Sequence, residues 1–286
     1  IATVNAGGAI DVANNTNFAS TSTDNTVTYD NAIPSVTINQ AVAQADPTAA
    51  TPINFTVVFS ETVTGFTNAD VNLAATATGT LTAVVTGSGT TYNVAVSGMT
   101  GTGTVIATVP AGGAIDSAGN GNTNSTSTDN IVTYDVTAPT VTINQAVGQA
   151  DPTNASPIDF TVVFSEPVTG FTNADVTLTG TAGAITAVVT GSGTTYNVAV
   201  SGMTTSGTVI ASIPAAAAAD TSGNTSLAST STDNTVTYDN VIPAVTINQA
   251  GAQADPTNTS PINFTVVFSK PVTGFIGTDV ALTGTA

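Results

Sequence analysis

Hydrophobic and polar residues alternate with a period of two along much of this chain. In the stretch from Ile53 to Ser60, the residues Ile53, Phe55, Val57 and Phe59 fall on one side, and Asn54, Thr56 and Ser60 on the other. Tyr92, Val94 and Val96 alternate with Asn93, Ala95 and Ser97 in the same way, as do Val27 and Tyr29 with Thr26, Thr28 and Asp30. Successive side chains of a strand point to opposite faces, so runs of this kind predict strands buried on one side. The pattern places strands at 35–41, 53–60 and about 71–75. A hairpin is expected over 81–97, turning at Gly87-Ser88-Gly89, with further strands at 103–109 and 130–135 after a long loop at 110–129. No segment sustains a helical period. The abundance of Val, Ile and Thr suits a pleated, half-buried surface and argues against disorder.

These segments recur. VTINQA begins at Val36, Val141 and Val245, and DPT at Asp46, Asp151 and Asp255, at spacings of 105 and 104 residues. INFTVVFS at Ile53 and Ile262 matches IDFTVVFS at Ile158, and TGSGTTYNVAVSGMT occurs at both Thr86 and Thr190. A unit of about 104 residues is far longer than a solenoid repeat and has the size of one β-sandwich domain. Seven short strands bounded by Gly, Pro, Asn and Asp fit an immunoglobulin-like sandwich. The fold class expected is therefore all-β: tandem immunoglobulin-like β-sandwich domains, beads on a string. The repeat divides the chain into the last strands of a truncated unit at 1–31, complete units at 32–136 and 137–240, and the first part of another at 241–286. The partial units read as a window on a longer array; the alternative is that they complete each other between molecules.

Composition narrows the chemistry. The 286 residues include 18 acidic side chains and one basic one, Lys270, for a net charge of −17, with no His, Cys or Trp. Histidine acid–base catalysis, thiol nucleophiles and zinc-type sites are thereby excluded. With five Tyr, ten Phe and a single basic residue to orient a substrate, the chain is not expected to be an enzyme. One Lys cannot neutralise a nucleic-acid backbone, and the negative charge repels nucleic acid and anionic lipid. No apolar run reaches the ~18–20 residues of a membrane span, so no direct membrane insertion is expected in this window. The partners left are cations, neutral polymers, other repeats of the chain, or copies of itself.

The acids fall into columns. Asp30, Asp135 and Asp239 are equivalent; so are Asp46, Asp151 and Asp255, and Asp116 follows Asp11 and precedes Asp220. Glu61 and Glu166 form another column whose third member is Lys270. In an immunoglobulin-like sandwich the loop after the first strand lies at the exit end, and the later loops 61–70 and 110–129 lie at the end where the chain enters. Stacking the two complete units would bring Asp46 and Asp135 of the first to Glu166, Asp220, Asn224 and Asp233 of the second. The same columns nominate Asp30, Glu61, Asp116 and Asn120 at the preceding joint and Asp239 at the following one. Carboxylates gathered without basic partners call for a hard cation, and Ca²⁺ takes six to eight oxygen ligands of this kind. Asp is also ordinary turn chemistry: Asp70, in Thr-Asn-Ala-Asp-Val, is expected to bond local backbone instead.

The runs PINFTVVFSETVTGFTNADV and PIDFTVVFSEPVTGFTNADV, with Asp116-Ser-Ala-Gly-Asn120 later in the unit, resemble the bacterial immunoglobulin-like domain repeats of large repetitive surface adhesins. The resemblance implies extracellular display at the cell surface, a stalk role and, in some relatives, Ca²⁺ at domain junctions. Glu61 and Glu166 match the family's Glu. Lys270 departs from it, and Asp11-Val-Ala-Asn-Asn15 lacks the Gly of the loop. The function expected is a structural stalk or filament segment, rigidified by Ca²⁺ at acidic joints, whose adhesive tip lies elsewhere. A self-assembling filament or surface-layer subunit, polymerising through its partial units, is the alternative.

Overall fold

A computed structural model describes residues 1–284, so the last two positions of the 241–286 segment lie outside the described residues. The chain forms two compact units. The first comprises residues 1–138 with 220–224, and the second 139–219 with 225–286.

In the first unit the strands are β1 (Val36–Gln40), β2 (Ile53–Val63), β3 (Asn72–Ala75), β4 (Gly79–Met99), β5 (Gly103–Thr108) and β6 (Ile131–Tyr134). They form two antiparallel three-stranded sheets, ordered β1-β2-β4 and β3-β5-β6. The register pairs Val36 with Phe59 across β1 and β2, Val57 with Tyr92 across β2 and β4, and Gly103 with Tyr134 across β5 and β6. The expected hairpin is present as β4, which folds back on itself. A Cβ on Gly98, at φ +95°, would stand 2.0 Å from the Thr80 carbonyl oxygen, so the two arms meet where only glycine fits. The alternation seen in the sequence is the burial pattern. Ile53, Phe55, Val57 and Phe59 enter one core with Ile38, Val94 and Val96 of the same sheet and Val105, Val132 and Tyr134 of the other. Phe59, Phe66 and Tyr92 pack edge to face, and the Tyr92 hydroxyl donates to the Val63 carbonyl at 3.1 Å.

Strand β2 runs three residues beyond the expected end, carrying Glu61 out of the ladder past a register shift between Val58 and Val63. After β1 the chain crosses to the other sheet: the Thr48 amide donates to the Thr133 carbonyl at 3.0 Å, and the Asp135 amide to the Thr48 carbonyl at 2.9 Å.

The second unit repeats these elements as β7 (Val141–Gln145), β8 (Ile158–Val168), β9 (Thr177–Thr179), β10 (Thr186–Ser201), β11 (Gly207–Ser212) and β12 (Thr235–Tyr238). Its sheets are ordered β10-β8-β7 and β12-β11-β9 around a second core of Ile143, Phe160, Phe164, Val198 and Val209. A two-stranded ladder follows, β13 (Val245–Gln249) with β14 (Phe264–Phe268).

One expected strand is not formed. The alternating run Thr26–Asp30 lies in no ladder, and Val27 and Tyr29 are 87% and 86% exposed, whereas their counterparts Val132 and Tyr134 are buried. The reason is pairing: β6 exists because β5 lies beside it, and residues 1–31 retain only the counterpart of the second half of β5.

Truncating Phe55, fully buried between the sheets, should lower stability by about 3–5 kcal/mol in urea denaturation. Val58→Ala, on the outer face of the same strand, should change it by less than about 0.5 kcal/mol.

Candidate functional site

The loop from Asp116 to Asn120 is built on one carboxylate. Asp116 Oδ1 accepts the amides of Ala118 at 2.8 Å and Asn120 at 2.9 Å, while Oδ2 accepts the Asn120 side-chain amide at 2.8 Å. This closes a ring that requires a left-handed residue between them, and Gly119 sits at φ +93°. Asp220 makes the same ring with Ser222 and Asn224. The loop at Asp11, which lacks the glycine, closes identically because Asn14 adopts φ +65° in its place.

The ring does more than shape a turn. Asn120 Nδ2 also donates to the Asp30 carbonyl at 3.3 Å, and Asn224 Nδ2 to the Asp135 carbonyl at 3.0 Å. Each asparagine thus ties its loop to an aspartate of the preceding repeat, Asp30 or Asp135. Both asparagines were expected as ligands; their amide nitrogens serve as clamps, and an asparagine ligates a hard cation through its side-chain oxygen, which these two bonds do not use.

This clamp assembles an acidic group. One carboxylate oxygen from each of Asp30, Glu61 and Asp116 lies within 4.8 Å of the other two. Asp116 is only 4% exposed, Glu61 half-buried and Asp30 exposed, so the group opens to solvent on one side. A carboxylate oxygen of Asp135 lies equally close to one of Asp220. Asp135 is further held by Thr102 Oγ1 and the Thr137 amide at 3.0 Å each, and by Ser222 Oγ at 3.2 Å. Glu166 occupies on β8 the position that Glu61 holds on β2.

Other expected site residues stand apart from this group. Asp46 Oδ1 accepts the Thr133 amide at 2.9 Å, and Asp151 the Thr237 amide, so this column secures the edge of the second sheet. Asp70 Oδ2 accepts from the amide and hydroxyl of Thr67, the local turn expected of it. Asp239 is paired with Lys270, whose Nζ lies 2.7 Å from Oδ2.

Hydrogen bonding sets the titration of these groups. The Asn120 side chain holds Asp116 below the usual aspartate value, its burial opposing and the loop amides assisting. Burial pushes Asp135 upward, yet the Thr137 amide and the Thr102 and Ser222 hydroxyls outweigh it and leave it lowered.

Residues 30–133 match the family described as Bacterial Ig-like domain, and this segment is a domain of that kind. Comparison with curated proteins yields no match. Bacterial Ig-like domains are typical of structural surface proteins. Among the described residues no helix is long and apolar enough to cross a membrane.

A group whose folded-state pKa is depressed binds fewer protons than the unfolded chain near that pKa, so it adds stability above the unfolded value. Asp116 and Asp135 should therefore stabilise fully above about pH 4. That contribution should fade as pH drops through their lowered values. Urea midpoints measured from pH 6 to pH 2 should show this slope, and Asp116→Asn should flatten it.

Proposed function

We propose that this chain is a segment of an extracellular structural stalk, a tandem array of immunoglobulin-like domains on a repetitive bacterial surface or adhesin protein, stiffened by Ca²⁺ at its acidic joints. One observation carries the reading. Residues 30–133 match a bacterial Ig-like domain, sequence segments of that unit recur at a spacing of 104–105 residues, and Asp30, near the end of the preceding unit, joins an acidic group with Glu61 and Asp116. Asp30, Glu61 and Asp116 each offer an oxygen to one point, the donor set of a hard cation. The same residue types recur in sequence at Asp135, Glu166 and Asp220. The cation neutralises like charges that otherwise repel and fixes the angle of the chain between domains. A Pro-containing linker stands at each boundary, at 31–34, 136–139 and 240–243. The role is mechanical: the array holds an adhesive tip away from the cell, and the tip lies outside these repeats.

A second reading has copies of the chain joining into a filament or surface layer through their terminal segments. Mass separates the two. A native polypeptide far above 28.0 kDa and built of many repeats supports the stalk. A polypeptide near that mass that grows with concentration in sedimentation supports assembly.

Saturating Ca²⁺ should raise the melting temperature over that in chelator. The gain expected at a hundredfold excess over Kd is about 2.7 kcal/mol per site. Glu61→Ala should reduce the gain while leaving the melt in chelator near that of the parent. Identical melting and scattering profiles with and without chelator would remove the cation from this reading and leave the stalk untouched.

A further inference from the structure

Lys270 is the only basic residue of the chain, and it stands where the two complete repeats carry Glu61 and Glu166. Its ammonium nitrogen lies 2.7 Å from Asp239 Oδ2 and 2.6 Å from the Val241 carbonyl oxygen. Asp239 belongs to the column of Asp30 and Asp135, whose carboxylates approach other carboxylates rather than a base. Its second oxygen, Oδ1, accepts the Val241 amide at 3.0 Å, so Val241 is gripped through both its carbonyl and its amide. Asn240 is held beside it by Ser206, whose hydroxyl accepts the Asn240 amide at 2.9 Å.

We infer that Lys270 is a built-in counter-ion: its ammonium takes the place that a divalent cation would fill at the other acidic joints, and it latches the 239–241 segment without metal. The chemistry supports the exchange. A primary ammonium is a compact cation with three donors, and here two of them reach a carboxylate and a backbone carbonyl, the same oxygen types that ligate Ca²⁺. Substituting Lys for Glu changes the local charge by two units, which turns mutual repulsion with Asp239 into attraction. A divalent ion brought to this point would meet an ammonium and be repelled. The pair is partly open to water, with side chains 30% and 37% exposed, so its strength depends on ionic strength. The array would then contain two kinds of joint, one set by Ca²⁺ and one fixed by the sequence. The latch itself rests on the Lys270 geometry; only the contrast with the other joints rests on the cation reading above.

Amide hydrogen exchange at Val241 in the intact chain tests it. Protection there should be the same in chelator and in Ca²⁺. It should fall about two- to fivefold in Lys270→Met, and by a similar factor in the parent at about 1 M NaCl, where screening reaches about 3 Å. The melt of the first core should be unchanged in Lys270→Met, which separates a lost latch from lost folding. Ca²⁺-dependent protection at Val241 in the parent, or protection unchanged by both Lys270→Met and salt, would overturn the assignment. If Asp116-loop amides fail to respond to Ca²⁺ while Val241 stays dependent on Lys270, the cation reading fails and the latch stands.

Discussion

Everything in this molecule depends on burying the inner faces of two small sheets against each other. Neither β1-β2-β4 nor β3-β5-β6 could persist alone, because each leaves a row of Val, Ile and Phe facing water. Facing each other, they place Phe55, Val57, Val94, Val105 and Val132 beyond the reach of solvent. Residues 1–31 show the constraint by lacking it. They carry the same alternation as β6 but have no complete partner strand, and no ladder forms.

The sandwich has a consequence for its acidic residues. A core of this kind has no place for charge, so most acids gather on loops and strand ends, where several accept hydrogen bonds that shape the backbone. Asp46 secures the edge at Thr133, and Asp70 closes the turn at Thr67. Asp116 organises its loop and, through Asn120, grips Asp30 of the preceding repeat. This last arrangement brings carboxylates of different segments together. At Asp239 the Lys270 ammonium pairs with the equivalent carboxylate.

The three equivalent positions Glu61, Glu166 and Lys270 illustrate how little sequence is needed to change such a site. Each is preceded at the same sequence distance by an aspartate of one column, Asp30, Asp135 or Asp239. One side chain alters the sign of the local field, and Lys270 pairs directly with Asp239 and the Val241 carbonyl.

The period-two alternation marked the strands, the hairpin and the inward residues wherever a partner strand was at hand, and failed at Thr26–Asp30, where none was. The repeat determined which residues are equivalent, and turn chemistry foretold the bond of Asp70 to Thr67. Sequence could not separate Asp46 from Asp30, since both are loop acids in recurring columns. Which one meets other carboxylates depends on crossings between segments tens of residues apart. Nor could it show that Asn120 spends its amide as a clamp, or that Asn14 supplies the conformation a glycine was expected to provide. Those outcomes depend on distances fixed only when two sheets pack, and on which backbone groups the packing leaves in need of a partner.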